Sequence, residues 1–278
     1  NEICERNNIQ FSCHADALLC EPESVHKKDS KPYTVFTPFY RKAREIPIRK
    51  SQRNKYSNYY NKKIKSEKSK EIYKTILAKM SHNLFENGGR INGKRLMKKN
   101  LDDYEKEKDY PALDKTSHLS GHNKFGIVSV REIYENFSGN DAFIRQLYWR
   151  DFFTHVGYHY PYVFGHAYRK KYEKIKWPND KKKFDSWCNG TTGFPIVDAG
   201  MRPLNKTGYM HNRVRMICAS FLTKHLLVDW RWGEAYFAEK LFDFELASNN
   251  GNWQWAAGCG CDAAPYFRIF NPYTQTKK

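Results

Sequence analysis

Seven residues near the end of the chain, Asn249 to Trp255, combine the two side-chain types with the most distinctive chemistry in this sequence. Asn249 and Asn250 supply amides, which hydrogen-bond to the polar edges of ring systems. Trp253 and Trp255 supply flat apolar surface, and indole is the most readily oxidised of the common apolar side chains. Because tryptophan is ordinarily a core residue, packing alone is the alternative explanation. The pattern is typical of a site that holds a planar heteroaromatic cofactor beside a planar substrate.

The elements that position this run are predicted to be helical. Apolar residues recur at helical spacing from Asp141 to His159, where Pro161 ends the pattern, and again after His211. Residues 71–80 begin a further helical pattern, and convincing alternating strands are absent from the later part of the sequence. We therefore predict a mainly α fold with an all-helical domain over residues 71–278.

The first 70 residues have a different character. Residues 1–40 look like the tail of an α/β domain, and residues 31–39 are predicted to be extended because proline disfavours helix at the preceding residue. Residues 41–70 contain 12 basic and 2 acidic side chains, which places +10 of the chain's net charge of +18 there. A solvated interdomain linker is the preferred interpretation of this segment. An arm that contacts DNA without sequence preference is the alternative.

Composition limits the class of protein. The length of 278 residues exceeds what a sizeable core needs, and the net charge of +18 predicts a polyanionic partner, nucleic acid before an anionic membrane surface. The seven cysteines are odd in number and contain no Cys-x-x-Cys, so neither a disulfide framework nor a metal site is predicted. Without a membrane-spanning run or signal peptide, we expect a soluble, non-secreted protein in a reducing compartment, the cytoplasm or nucleus.

Six motifs occur in a fixed order along the chain. They are Lys115–Ser120, Trp149–Phe153, Gly193–Arg202, Gly208–Met216, Asp229–Glu234 and Asn249–Trp255. Together they resemble the FAD-binding helical domain of the photolyase/cryptochrome family, most of all the class I cyclobutane pyrimidine dimer photolyases. The resemblance runs from about Tyr104 to Gln275. It implies that the chain carries only the tail of the family's α/β antenna domain and stops before the family's final helices.

The resemblance implies a bound FAD that is active in its reduced form. It assigns to the cofactor Tyr104, Thr116, Ser117, His118, Leu119, Ser120, Phe143, Arg150, Arg215, Asp243, Phe244, Glu245 and Asn249. The Thr116–Ser120 run offers hydroxyls and N–H groups that suit a phosphate, and helix capping by Ser120 or Thr116 is the alternative. Asn249 corresponds to the residue that faces N5 of the flavin. For the two arginines, surface ion pairing is the alternative.

The resemblance also assigns electron transfer and substrate binding. It assigns electron transfer to Trp253, Trp230 and Trp177, which would form a chain from beside the flavin to the surface. Damaged DNA is the implied partner, and its contacts are assigned to Lys108, Gln146, Trp149, Asn212, Arg213, Met216, Trp255 and Gln275. Trp149 and Trp255 resemble the aromatic walls around a flipped-out dimer. A monomer is expected. The alternative is a complex with a separate chain that carries the antenna domain and its chromophore, whose identity the sequence does not give.

Four positions depart from the family's pattern, and one of them is Lys108, which replaces an arginine and keeps the charge without the bidentate geometry. Phe244 and Glu245 replace a glycine and an aspartate, and Gln146 stands where a glutamate is usual, which predicts reduced rather than absent repair. Gln146 is also similar to the residue of (6-4) photolyases and animal cryptochromes. The Asn212–Met216 run lacks the histidine pair that (6-4) photolyases place there, and His211 is interpreted as structural.

The implied function is light-driven repair of cyclobutane pyrimidine dimers, a carbon–carbon lyase reaction that FAD performs while the protein supplies positioning. A cryptochrome-like blue-light photoreceptor is the first alternative. A non-catalytic DNA-binding remnant that has lost the flavin is the second.

Overall fold

The computed structural model describes residues 2–11, 17–52, 57, 66–79, 83–265 and 267–277. These residues form α-helices joined by turns and 3-10 helices, and their β pairing is confined to an isolated antiparallel bridge between His26 and Pro32. The mainly helical fold class predicted from the sequence is confirmed. None of the helices in the described ranges has the length and apolar character needed to cross a bilayer.

The helix boundaries are as follows. The α-helices of the described residues are α1 (Glu2–Arg6), α2 (Phe36–Ala43), α3 (Glu67–Lys79), α4 (Arg90–Leu96), α5 (Tyr104–Glu107), α6 (Ser120–Lys124), α7 (Val130–Asn136), α8 (Asp141–His159), α9 (Lys181–Asn189), α10 (Pro195–Thr207), α11 (Asn212–Lys224), α12 (Trp230–Lys240), α13 (Leu246–Ala257) and α14 (Pro272–Thr276). Short 3-10 helices lie at Pro22–Ser24, Pro111–Leu113, Pro161–Val163 and Lys170–Lys174.

Side-chain caps define α8 and α13, which together carry seven of the predicted site residues. Asn140 Oδ1 accepts the N–H of Phe143 at 2.9 Å and so begins α8. The Glu245 carboxylate accepts two backbone N–H groups of the first turn of α13. Gly258 ends α13 with a φ of 83°, a left-handed conformation that glycine adopts without strain. The start and end of α13 are therefore set by local chemistry.

Two hydrophobic cores hold the helices together. The first joins α2, α7 and α8 to the segment around Val25, and the second is formed by α9 to α13. Helix α13 packs against α8, α11 and α12. It connects the cores, because Ala247 at its start belongs to the first and Trp253 to the second.

The prediction of an extended segment over residues 31–39 is wrong beyond Val35. Helix α2 begins at Phe36 and places Pro38 in its first turn, where proline forfeits no intrahelical hydrogen bond. Phe36 and Phe39 are buried, and α2 packs on α8. Burial of these rings outweighs the local preference of the residues that precede proline. The helix predicted from residue 71 is confirmed as far as Lys79, and residue 80 lies outside the described residues. The helices predicted from Asp141 to His159 and after His211 are confirmed.

The predicted domain boundary at residue 40 falls within a helix. Helix α2 spans the boundary proposed at residue 40, and it belongs to the same core as α8. Within the basic segment 41–70, residues 53–56 and 58–65 lie outside the described residues. Its described part contacts α7, because the N–H and hydroxyl of Ser51 donate to Glu135 at 2.7 and 2.6 Å. The division at residues 40 and 70 stays a prediction.

Asp151 connects α8 to the segment that follows residue 17. Its Oδ2 accepts the N–H groups of Leu19 and Cys20 at 3.0 and 2.9 Å. Its Oδ1 is buried without a partner among the described residues. One turn along, His155 Nδ1 lies 3.1 Å from the carbonyl oxygen of Pro22. Burial raises the pKa of Asp151 to about 7 and lowers the pKa of His155 to about 4.

These opposite shifts predict the pH dependence of folding. The folded state favours protonated Asp151, and this preference stabilises the protein. The stabilisation is fully present below pH 3.8 and is lost as the pH rises through about 7. The unfolding free energy falls by roughly 1.4 kcal/mol per pH unit in this range. The contribution of neutral His155 is present above pH 6.5 and is lost as the pH falls towards about 4. Asp151→Asn keeps an acceptor for the two N–H groups and cannot ionise. We expect the unfolding free energy of the variant, relative to the parent, to increase between pH 4 and 7 and then to level off in denaturant titrations.

The matched control is Asp29→Asn, which removes the same charge at an exposed site. Its free-energy difference from the parent should show no such rise between pH 4 and 7. A pH-independent difference for Asp151→Asn would contradict the assignment of the buried acid.

Candidate functional site

Trp253 lies on α13 at the centre of the second core. Its ring centroid is 5.0 Å from that of Phe237 and 6.0 Å from that of Trp187. Gly233 of α12 permits this packing, because a Cβ at that position would lie 2.1 Å from the Trp253 ring. The indole Nε1 is buried and has no acceptor among the described residues. The ring is therefore positioned by packing alone.

Arg231 connects three parts of the chain around Trp230. Its guanidinium carbon lies 4.8 Å from the Trp230 ring centroid. The same group donates to both carboxylate oxygens of Glu173 at 2.7 and 2.8 Å, to Asp229 at 3.2 Å, and to the carbonyl oxygen of Gly165 at 2.7 Å. Charge-assisted hydrogen bonds of this kind are about twice as strong as neutral ones. They hold residues 165–173 against the start of α12.

Trp177 belongs to the same assembly. It is half-buried and packs against the second core, in which Trp230 is 1% exposed. Asn179 Oδ1 accepts the N–H of Asp229 at 2.8 Å, so the segment that carries Trp177 is attached directly before Trp230. The structure thus brings the three predicted tryptophans into one core that extends from the interior to a half-exposed edge.

A fourth indole of this core, Trp187, was not predicted. It is fully buried on α9 and donates Nε1–H to the carbonyl oxygen of Cys218 at 3.1 Å. Its ring lies 5.7 Å from Tyr236 and 5.9 Å from Phe184, which in turn lies 5.2 Å from Trp232. Nothing in the sequence separates Trp187 from an ordinary core residue. Its neighbours come together only through tertiary packing.

Asn249 is half-buried on α13, with its amide oriented by the neighbouring helix. Its Nδ2 donates to the carbonyl oxygen of Glu234 at 3.1 Å. In the described part of the chain no donor occupies its Oδ1, which leaves that oxygen as an acceptor. The next residue, Asn250, is buried and donates to the Glu234 carboxylate at 3.1 Å. Burial raises the pKa of Glu234.

Arg215 and Asp243 form an ion pair beside α13. Arg215 donates to both Asp243 oxygens at 3.1 and 2.9 Å and to the carbonyl oxygen of Met210 at 2.6 Å. The Asp243 side chain is 3% exposed, so surface ion pairing, the alternative considered for Arg215, is wrong. Phe244 packs against the second core, and Glu245 uses both oxygens to cap α13. The Glu245 carboxylate is therefore occupied by backbone N–H groups of α13.

The Thr116–Ser120 run forms the turn before α6. The N-cap of α6 is Leu119, and no side chain caps the helix, so the alternative of capping by Ser120 or Thr116 is wrong. Ser117 Oγ instead accepts the N–H of Leu119 at 3.3 Å. The first N–H groups of α6 are therefore free of side-chain caps.

His118, in the middle of this turn, is buried and has a φ of 55°. Its Nε2 lies 2.8 Å from the Asp114 carboxylate, and its ring meets Phe85 edge-on at 4.8 Å. Phe85 also stacks on Tyr209 at 4.0 Å, which joins the turn to the start of α11. Burial lowers the pKa of His118.

Comparison with known proteins identifies the family. A model of the FAD binding domain of DNA photolyase matches residues 143–278, and a DNA photolyase model matches residues 1–55. The deoxyribodipyrimidine photo-lyase of Alkalihalophilus pseudofirmus is 42% identical over 98% of this chain and 60% of the relative. An archaeal photolyase from Sulfolobus tokodaii, solved with two FAD molecules, is 41% identical with a TM-score of 0.86 over 100% of this chain and 61% of that chain.

The chain belongs to the photolyase/cryptochrome family. A bacterial class III photolyase from Agrobacterium tumefaciens is also similar, at 34% identity and a TM-score of 0.81 over 99% of this chain and 61% of that chain. The chain spans about three fifths of the length of these relatives.

Two predicted substrate residues of this photolyase-family chain lie on α8. Gln146 is half-buried, and its Nε2 donates to the carbonyl oxygen of Ala142 in its own helix at 3.2 Å. Trp149 stacks on Phe36 of α2 with ring centroids 3.5 Å apart and planes 7° from parallel. One face of the Trp149 ring is therefore covered by protein. Its role as a substrate wall stays a prediction.

The other predicted DNA-side residues lie at several helix ends. Asn212 Nδ2 lies 3.8 Å from Met216 Sδ on the first turn of α11. Arg213 and Lys108 are engaged in ion pairs, with Asp109 and Glu105 respectively. Trp255 lies on α13, with the Arg268 guanidinium 5.6 Å from its ring centroid, and Gln275 lies half-buried on α14.

Four predicted cofactor residues lie in or next to the first core, and Leu119 is one of its buried members. Tyr104 is buried and meets Phe143 edge-on at 5.5 Å. Arg150 donates to the backbone carbonyl of Ala17. Tyr104 and Phe143 therefore have a packing role in this structure, and Arg150 contacts the segment that Asp151 also binds.

A polar groove of about 930 Å³ lies away from these residues. Its lining comprises Ser51, Gln52, Arg90, Lys94, Met97, Glu132, Glu135 and Asn136. Glu132 pairs with Arg90 and Lys94 at 2.7 and 2.8 Å, and these partners hold the pKa of Glu132 at about 2 against the opposing effect of burial. None of the lining residues belongs to the predicted cofactor or DNA sets.

Arg231→Met tests whether this arginine positions the segment before Trp177. Loss of charged hydrogen bonds to the exposed Glu173 and the partly buried Asp229 should lower the unfolding free energy by roughly 1 kcal/mol. We expect faster amide hydrogen exchange in residues 165–180 and a change in tryptophan emission. Arg202→Met is the control, because Arg202 is exposed and its hydrogen bond to the carbonyl oxygen of Gly190, at 2.9 Å, lies outside residues 165–180. Unchanged exchange in residues 165–180 of Arg231→Met would refute the positioning role.

Proposed function

We propose that this chain binds FAD and repairs cyclobutane pyrimidine dimers in DNA under blue light. The observation that carries the proposal is the orientation of Asn249, whose amide nitrogen is engaged by Glu234 and whose oxygen is left as an acceptor beside a core of buried indoles. An amide oxygen fixed in this way fits a ring N–H. When bound and reduced, FAD would supply an electron to a planar substrate after absorbing blue light.

Asn249, Asp243 and Arg215 would hold the flavin ring. The Arg215–Asp243 pair brings a partly buried positive group and a buried negative group to one place, with its geometry fixed by the Met210 carbonyl. A preorganised polar pair suits a ring with both donor and acceptor edges. The uncapped N–H groups at the Thr116–Ser120 turn would bind the phosphates.

Trp253, Trp230 and Trp177 would conduct electrons between the interior and the solvent. Trp253 and Trp230 are fully buried, whereas Trp177 is half-exposed at the edge of the same core. The buried members keep water away from the flavin position, and the outer member gives solvent access to an electron donor. On this proposal, Arg231 maintains the spacing of the two outer indoles.

Gln146, Trp149 and Trp255 would contact the damaged bases, and Lys108, Asn212, Arg213, Met216 and Gln275 would meet the DNA around them. Helices α8 and α13 pack together, which places the first group on neighbouring helices. Because the similar structures include archaeal and class III enzymes, assignment to class I is part of the proposal.

Gln146 and the Asp243–Glu245 run favour a second candidate, a cryptochrome-like photoreceptor that binds FAD without repairing DNA. Gln146 lacks the acidic proton of a carboxyl group and bonds to its own helix. Absorption spectra of the purified chain, followed by blue illumination with an oligonucleotide that contains one thymine dimer, separate the candidates. Flavin bands with light-dependent loss of the dimer support repair. Flavin bands without repair support the photoreceptor, and absence of flavin after reconstitution refutes both.

Gln146→Glu should increase the repair yield. A carboxyl group at this position can donate a stronger hydrogen bond to the substrate, and a gain of about 1 kcal/mol corresponds to roughly fivefold in rate. The measurement is dimer loss per absorbed photon at equal flavin occupancy. Gln10→Glu adds the same charge at an exposed site and should leave the yield unchanged. A yield for Gln146→Glu equal to or below that of the parent would contradict the proposed contact.

A further inference from the structure

The segment from Arg169 to Lys183 forms a strongly positive surface around Trp177. It contains eight basic and two acidic residues. All eight basic residues are exposed, and among the described residues only Lys181 has a carboxylate partner, Asp185. We name this surface the Trp177 patch.

Both carboxylates of the Trp177 patch are already engaged. Glu173 accepts both of its charged hydrogen bonds from Arg231 and also accepts the backbone N–H of Ala167. Asp180 caps α9 by accepting two backbone N–H groups at 2.9 and 3.1 Å. The lysine charges are therefore left to act on solvent and on molecules that approach from it.

Trp177 lies near the middle of this segment. Lys174 and Lys176 precede it closely and are exposed, whereas Trp177 itself is half-buried and packs against the core that contains Trp230. Asn179 anchors the following residues to Asp229. The oxidisable Trp177 ring therefore packs against the second core on one side and is partly exposed to solvent, with exposed lysines next to it in the sequence.

This arrangement suits a transient complex with an acidic protein. Complementary charge raises association rates by up to several orders of magnitude, and electron-transfer complexes use small, weak interfaces. Lysines suit such an encounter because each is a mobile point charge without the bidentate geometry of arginine. DNA would also be attracted by the charge, but binding to DNA would give no role to the indole at the centre.

We propose that the Trp177 patch is the docking surface for an acidic one-electron carrier protein. The carrier is oxidised by one electron, and the oxidised indole of Trp177 is reduced by that electron to neutral indole, with no bond broken. The inference rests on the proposed function, because the oxidant would be the bound flavin in its oxidised form, which after absorbing blue light would take one electron from Trp177 through Trp253 and Trp230.

The test uses the flavin-loaded full chain with two haem proteins as probes. Ferrous cytochrome b5 is acidic and ferrous cytochrome c is basic, and each donates one electron. Under blue light at low salt, we expect cytochrome b5 to be oxidised at least tenfold faster than cytochrome c, with an advantage that declines as salt is added. Binding of cytochrome b5 in the dark, measured by calorimetry, gives a readout independent of photochemistry.

The decisive variant is Lys174→Glu/Lys176→Glu, matched by Lys68→Glu/Lys74→Glu on the exposed face of α3. The first should reduce the cytochrome b5 rate and dark binding about tenfold, and the second should preserve both. Equal flavin spectra and melting temperatures establish that the variants are folded.

Four outcomes overturn the proposal. Equal oxidation rates of the two cytochromes would contradict the docking role, and so would an unchanged cytochrome b5 rate in Lys174→Glu/Lys176→Glu. In either case, photoreduction of the flavin by a small thiol would show that the proposed function still holds. Weaker binding of undamaged DNA to that variant with unchanged cytochrome b5 oxidation would assign the patch to nucleic acid. Absence of photoreduction with every donor, the thiol included, would overturn the proposed function as well.

Discussion

The packing of α13 between α8, α11 and α12 is the constraint on which the candidate site depends. Residues of α13 belong to both hydrophobic cores. Gly233 allows α12 to approach the Trp253 ring closely. Asn249 is consequently fixed by backbone chemistry, through the Glu234 carbonyl, rather than by a mobile partner. A side chain added at Gly233 would displace the ring and, with it, the helix that carries the amide.

Two ion pairs of this protein hold separate segments of the chain in position. Arg231 fixes the loop before Trp177, and Arg215 pairs with a carboxylate that is almost fully buried. Such pairs cost desolvation energy, so they are expected where one particular geometry is needed. Asp151 has the same effect through backbone N–H groups, and it connects α8 to a distant part of the chain.

Helices with strong local signals could be predicted from the sequence, whereas tertiary partners could not. The spacing from Asp141 to His159 and the proline after it define α8, and both boundaries agree with the structure. Helix α2 was missed because burial of Phe36 and Phe39 decides its conformation, and burial depends on residues more than 100 positions away. The predicted tryptophans do share one core, but Trp187 and Arg231 went unnoticed because their importance lies in contacts between separate segments.

The apolar surroundings of the Trp253 indole have a consequence for charge movement. An indole that loses an electron becomes strongly acidic at Nε1, and in water it would soon give up that proton. In the described part of this chain no base or other acceptor reaches the Trp253 nitrogen. If Trp253 carries electrons as proposed, a positive hole on its ring would stay there until it migrates to another aromatic group, and the dry interior of the core would favour onward transport over deprotonation.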